Sequence, residues 1–144
     1  MSDGESEFVV LRVRDGELVE QGSWVYAWVG PDGAVVYVGA TGLDPRTRVW
    51  LHIHDDDPDV GRMRARFEKL ADTPLDVLAM RVPEGVSRAD VRDVLGARLG
   101  EEGVLGGHAI TDHLQLVLDP SAEAMELAER FVARLRSDPS LRRR

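Results

Sequence analysis

The sequence predicts a small α/β (α+β) domain, with a short antiparallel sheet built around a central hairpin and flanked by helices. Two apolar runs rich in aromatic and β-branched residues, 24–29 and 34–38, are joined by Gly-Pro-Asp-Gly, which is typical of a β-hairpin. Stretches with helical spacing and helix-start signals follow on both sides of a third strand-like run, 75–82. At 144 residues, the chain is long enough for one domain with its own core.

The hairpin decides which aromatic residues face one another. Its proline presets φ at the second turn position, and its second glycine tolerates positive φ, so the loop is expected at residues 30–33. Val29 then faces Ala34, and Tyr26 lies opposite Tyr37. Because directly opposed residues share a sheet face, we expect both phenols on one side, and a register slip of one residue would separate them.

A short helix is predicted directly after the hairpin. Asp44 suits the N-cap and the proline after it suits the first helical position, so a helix is expected over residues 45–54. Arg48 and His52, four residues apart, share one face of that helix. The acidic run 55–58 is expected to end it and to cap a second helix, about 58–70.

The other segments complete a single domain. The remaining expectations are a strand at 8–14, a third strand at 75–82, a helix opened by the capping pattern Ser87 to Asp90 and reaching about Leu99, a glycine-marked loop over 100–107, a strand or extended segment at 110–118, and an amphipathic helix at 121–136. Residues 1–7 are expected to be disordered, residues 8–136 to form the domain, and residues 137–144 to be a basic tail.

Composition restricts the function classes. The net charge of −8 disfavours a broad nucleic-acid-binding surface, although it permits a local basic patch. The absence of cysteine excludes disulfides and thiolate metal sites, and it fits a cytoplasmic protein. No apolar run approaches ~20 residues, so no membrane span is expected. The polar, acidic start of the chain is unlike a signal peptide.

The order of the polar residues resembles the GIY-YIG nuclease superfamily. An apolar strand ends in Tyr26, and after ten intervening residues comes tyrosine–apolar–glycine at Tyr37-Val38-Gly39. A short connector and a helix with Arg48 and His52 one turn apart follow. The match covers roughly residues 22–54 well and residues 75–100 loosely.

The resemblance implies a metal-dependent endonuclease that hydrolyses DNA phosphodiester bonds. Tyr26 would activate or position the attacking water, and Arg48 would stabilise charge on the scissile phosphate, while Tyr37 and His52 would orient or assist them. A carboxylate on a later helix would bind Mg²⁺ or Mn²⁺, and Asp93 is the nearest fit to that position. Either a protein partner supplies targeting, or the DNA substrate is a structural feature such as a flap or branch.

Two other readings stay open at this point. One is a catalytically inactive relative that binds nucleic acid or a protein partner through the same cleft. The other is a generic α/β interaction domain in which Tyr26 and Tyr37 are core residues, since tyrosines in hairpins commonly pack across strands. The sequence specifies no oligomeric state.

Overall fold

The computed structural model describes residues 10, 12–20, 22–67, 70–103, 105–110, 119–138 and 141. The elements, in chain order, are β1 (Val13–Arg14), β2 (Glu17–Leu18), β3 (Trp24–Val29), β4 (Val35–Thr41), α1 (Pro45–His54), α2 (Arg62–Arg66), a 3₁₀ turn (Leu70–Asp72), β5 (Asp76–Arg81), α3 (Arg88–Glu101), β6 (Leu105–Ile110) and α4 (Ala122–Ser137). The mixed α/β class expected from the sequence is therefore confirmed.

The main sheet has four strands in the order β5-β3-β4-β6. The β3–β4 hairpin lies at its centre, as the sequence predicts, and β5 pairs antiparallel with the outer side of β3. β6 adds to β4 in parallel. β1 and β2 form a separate two-stranded ribbon.

The hairpin register differs from the sequence prediction. Tyr26 pairs with Gly39 and Trp28 pairs with Tyr37, so Tyr26 does not lie directly opposite Tyr37. One residue of the shift arises at the loop, where Ala34 joins the turn by accepting a hydrogen bond from Gly30. The other arises at a bulge, because Val29 pairs with Val35 while Trp28 pairs with Tyr37. Together they shift the register by two residues, so both tyrosines keep the same face.

The two faces of this sheet carry different residues. One face is aliphatic, and α3 and α4 cover it with side chains that include Leu95 and Phe131. The other face carries Tyr26, Trp28 and Tyr37, packed with residues of α1 and α2 such as Met63. The aromatic face is where the predicted functional residues meet.

Three helices begin as the sequence predicts, each at a side chain that caps its first turn. The N-cap oxygens of Asp44, Ser87 and Ser121 accept backbone hydrogen bonds at 2.9, 3.2 and 3.0 Å, respectively. The prediction of one helix over about 58–70 is wrong, because α2 covers only Arg62–Arg66. The carboxylates of Asp55 and Asp57 do not cap a helix at residue 58. Each accepts a hydrogen bond from the backbone N–H two residues later, which forms two consecutive turns.

The glycine-rich segment after α3 also differs from its prediction, because residues expected to form a loop build strand β6. The strand forms because it pairs in parallel with β4, and the backbone groups of glycine can take part in such a ladder as those of other residues do. The predictions for residues 1–7, for most of 110–118 and for the arginines of the tail lie outside the described residues. Among the helices described, none has the length and apolar character to span a membrane.

Candidate functional site

The aromatic face holds a compact cluster of rings around His52. The imidazole lies edge-on to three rings, with centroid distances of 5.6 Å to Tyr26, 5.6 Å to Trp28 and 5.0 Å to Tyr37. The two phenol rings stack at 6.2 Å. Their exposed fractions are 1% for Tyr26, 2% for Tyr37 and 0% for His52. Three residues predicted from the sequence therefore do come together, but beneath the surface rather than in an open groove.

His52 is held as a neutral imidazole. Its Nε2 lies 2.8 Å from the hydroxyl of Tyr26. Burial, with the nearby positive charges of Arg48 and Arg62, lowers the pKa of His52 to about 3. At neutral pH the ring can therefore give or accept a hydrogen bond but carries no charge.

The phenol of Tyr26 also stays neutral. Burial, reinforced by the neighbouring Tyr37, raises the pKa of Tyr26 well above its ordinary value, and the charges of Arg48 and Arg62 offset this only in part. Because its pKa is raised, the phenol stays protonated at neutral pH, and almost no phenolate is present to accept a proton. Tyr26 is suited to donating a hydrogen bond and not to acting as a phenolate base.

The imidazole tautomer determines what Tyr26 can donate to. Nδ1 of His52 has no partner in the part of the chain that the structure describes. A buried N–H without a partner is rarer in proteins than a buried acceptor without one, which favours the tautomer with hydrogen on Nε2. His52 then donates to the Tyr26 oxygen, and the Tyr26 hydroxyl hydrogen is free to meet another acceptor.

Two half-buried arginines cover the phenols. Arg48, from α1, lies near enough to Tyr26 for its charge to lower the phenol pKa, and its Nη1 donates to the carbonyl oxygen of Val60 at 2.9 Å. Arg62, from α2, donates from Nη1 to the Tyr37 hydroxyl at 2.9 Å and from Nε to the carbonyl oxygen of Asp59. Within the described ranges neither guanidinium forms an ion pair with a carboxylate, so the two positive charges that act on Tyr26 and His52 are bonded only to neutral oxygens.

Arg62 is the site residue that sequence reasoning missed. It reaches Tyr37 because the turn after α1 folds back so closely that a Cβ on Gly61 would lie 2.1 Å from the carbonyl oxygen of Asp55. Both Val60 and Gly61 donate backbone hydrogen bonds to the carbonyl of Asp57. The sequence signal is the glycine after the acidic run, but the placement of the next arginine depends on the folded turn.

The glycine of the tyrosine–valine–glycine motif has a structural reason. Tyr26 pairs directly with Gly39 across the hairpin, and its ring lies on the glycine backbone. A Cβ at position 39 would approach the Tyr26 Cζ and Oη atoms to 2.6 Å. Glycine at this position therefore lets the phenol lie flat against β4 and point its oxygen at His52.

Asp93, the predicted metal ligand, lies elsewhere. It belongs to α3, which packs on the aliphatic face of the sheet through neighbours such as Val91 and Leu95. Its carboxylate accepts a hydrogen bond from Nε of Arg92 at 2.9 Å, and the pair is largely shielded from water. The structure therefore unites Tyr26, Tyr37, Arg48 and His52, and it leaves Asp93 on the other side of the sheet.

The polar side chains around Tyr26 do not form a suitable ligand set for a divalent cation. They are two phenols, one neutral imidazole and two guanidiniums, whereas Mg²⁺ and Mn²⁺ prefer carboxylate oxygens. Across the residues that are described, no three histidine, aspartate or glutamate side chains gather as a metal-binding group. The same groups suit an anion, because the two guanidiniums are positively charged and can form charge-assisted hydrogen bonds to anionic oxygens.

Comparisons with family models, with curated proteins and with solved structures find no match to this chain.

Proposed function

We propose that this protein binds the phosphodiester backbone of DNA at the guanidinium pair formed by Arg48 and Arg62. The observation that carries the proposal is that two half-buried arginines lie over neutral phenols, and neither forms an ion pair with a carboxylate of the described residues. Adjacent cations removed from water are unfavourable unless an anion joins them. A phosphate supplies that anion and matches the planar fork of each guanidinium.

The buried phenols support the two arginines from beneath. The Tyr26 hydroxyl lies 2.8 Å from Nε2 of His52, so this neutral pair forms the floor under the guanidiniums. Tyr37 orients Arg62 through their 2.9 Å hydrogen bond. DNA as the source of the phosphate follows from the resemblance of this constellation to the GIY-YIG nucleases. A local site of two cations within a chain of net charge −8 predicts weak binding, with a salt slope no steeper than about two.

The test is binding of a fluorescein-labelled DNA duplex, measured by polarisation across a salt series. Arg48→Ala and Arg62→Ala should each weaken binding and lower the slope of log affinity against log salt by roughly one. Arg98→Ala is the matched control, because Arg98 is half-buried like Arg48 and Arg62 but is already neutralised by Glu129 and Glu101. Equal affinity for DNA among all three variants would refute the proposal.

Phosphodiester hydrolysis is the second candidate, and one observation favours it. Four of the five residues that the nuclease resemblance nominates, Tyr26, Tyr37, Arg48 and His52, do converge, although the hairpin register was not the one expected. Arg62 adds a second cation that could stabilise charge on a scissile phosphate. Against hydrolysis, the neutral phenol of Tyr26 and the distant Asp93 leave the site without an evident proton acceptor.

Nicking of supercoiled plasmid separates the two candidates. The protein is incubated with plasmid in buffer containing Mg²⁺ or Mn²⁺, beside the Arg48→Ala, Asp93→Asn and Arg98→Ala variants. Binding without cleavage predicts intact plasmid in every lane. Nicking that Arg48→Ala abolishes and Arg98→Ala preserves establishes the endonuclease, and the Asp93→Asn lane then decides whether α3 takes part.

A further inference from the structure

The outer edge of β5 carries features that the proposed DNA site does not use. β5 is the end strand of the main sheet, and within the described chain it pairs on one side only, with β3. All but the last of its residues are half-buried. An end strand presents a row of backbone N–H and C=O groups to any extended segment that lies alongside.

A cavity adjoins this strand on the α4 side. It has a volume of ≈ 240 Å³ and is lined by Leu78, Ala79 and Met80 of β5 together with Arg130, Phe131 and Arg134 of α4. Apolar side chains, among them Leu78, Met80 and Phe131, form part of its lining, and the two arginines are one helical turn apart on the same side of α4. The cavity offers space for apolar side chains of a segment that also carries negative charge.

The charges at this cavity are available for a ligand. Arg130 is exposed and has no side-chain partner among the residues described here. Arg134 pairs with Asp138, one turn on, while its side chain stays 66% exposed. Ion pairs as exposed as this one contribute little, so Arg134 can exchange its partner at small cost.

We propose that the β5 edge binds an extended acidic–apolar peptide segment of another protein by strand addition. The main chain of the segment pairs with β5, an apolar side chain enters the cavity against Leu78 and Met80, and a carboxylate two residues along meets Arg130 or Arg134. Residues two apart on a strand share a face, so one alternating Glu-x-Leu pattern satisfies both requirements.

A second copy of this chain fits the edge less well. Pairing two β5 strands about a two-fold axis puts the same sheet face of both copies on the same side. The Arg130 and Arg134 side chains of both α4 helices would then converge on one face. Like charges across an interface disfavour it, which is why the proposal commits to an acidic partner.

The test uses a fluorescein-labelled peptide with the repeat Glu-Thr-Leu-Thr, in which glutamate and leucine alternate along one face of the strand, titrated with the protein. Binding should saturate, and Arg130→Glu should weaken it roughly tenfold or more, because it places like charges together. Arg46→Glu is the matched control, since Arg46 is exposed on α1, across the sheet from α4. Arg134→Glu provides a second variant, and circular dichroism confirms that each variant folds.

Two further measurements distinguish strand addition from simple charge attraction. The same peptide with every backbone N–H methylated should not bind, and the unmodified peptide should slow hydrogen exchange in β5. Equal binding of the methylated peptide, or equal binding to Arg46→Glu and Arg130→Glu, would overturn the proposal. A dimer in sedimentation that excludes the peptide would assign the edge to a second copy instead. DNA binding is followed in parallel, because it should be unchanged by Arg130→Glu.

Discussion

The two faces of the central sheet are both covered by helices, but their buried side chains differ in chemistry. The face under α3 and α4 is packed with aliphatic residues and Phe131, none of which needs a hydrogen-bond partner from its side chain. The face under α1 and α2 buries two phenols, an indole and an imidazole. Here the Trp28 Nε1 and His52 Nδ1 atoms lack partners in the described part of the chain.

This difference separates residues that only stabilise the fold from residues that we propose to support DNA binding. Burying a polar atom without a partner costs free energy, whereas burying an aliphatic side chain of the same size stabilises the fold. A sheet needs only one well-packed apolar face to fold against helices. If the polar atoms on the other face serve the proposed binding of DNA, variants on the two faces should behave differently.

The largest expected effect lies on the aliphatic face. Phe131→Ala removes a ring that is 1% exposed and should lower the free energy of unfolding by about 3–5 kcal/mol, because it leaves a cavity between α4 and the sheet. Urea unfolding measures the change. The fraction that stays folded should bind DNA with unchanged affinity, and a weakened affinity would show that the two faces are not separable.

The next effect is a pH dependence that belongs to the aromatic face. The pKa of His52 is about 3 when folded, against about 6.5 when unfolded, so the unfolded chain binds the extra proton between these values. Stability should therefore fall as pH is lowered from about 6.5 towards 3, by up to about 1.4 kcal/mol per pH unit from this group. Above pH 6.5 His52 adds no slope.

His52→Gln should remove that contribution. The variant keeps a polar side chain while losing the titration, so its unfolding free energy should decline less steeply over the same acidic range. The matched control is His54→Gln, which removes an exposed imidazole from the same helix and should leave the slope produced by His52 in place. Identical slopes for wild type and His52→Gln would mean that the imidazole is not kept neutral by burial.

A third variant addresses the contact between Tyr26 and Gly39. Gly39→Ala should destabilise the protein by about 1–3 kcal/mol, since a Cβ would meet the phenol at 2.6 Å. In a Tyr26→Ala background the same substitution should cost nothing further, because the obstructing ring is gone. Additive losses in this double-mutant cycle would contradict the register in which Tyr26 lies on Gly39.

That register shows where the sequence stops predicting the site. Each helix start at Asp44, Ser87 and Ser121 is a local event, in which a side chain meets a backbone N–H two or three residues away, and all three were predictable. The hairpin itself was equally local. Its register depends on Ala34 joining the turn and on the bulge at Val36, and neither has a distinctive pattern.

The placement of Arg62 could not be predicted for a related reason. Tyr26, Tyr37, Arg48 and His52 could be nominated together because hairpin pairing and helix periodicity bring them close. Arg62 reaches the same cluster through a turn whose path depends on contact between Gly61 and the end of α1. Such a contact joins segments by tertiary packing, which no short-range pattern encodes.

The smallest effect offers the sharpest comparison of the two faces. Tyr37→Phe removes one oxygen, the acceptor for Nη1 of Arg62 at 2.9 Å, and leaves the ring packing intact. We expect a loss of about 0.5–1.5 kcal/mol in unfolding free energy, together with weaker DNA binding because Arg62 loses its orientation. Val25→Ala, on the aliphatic face, should cost about 1.5–2 kcal/mol and leave DNA binding unchanged. We therefore expect Tyr37→Phe to lose less stability but more DNA affinity than Val25→Ala, and the reverse ranking in polarisation assays would contradict the assignment of DNA binding to the aromatic face.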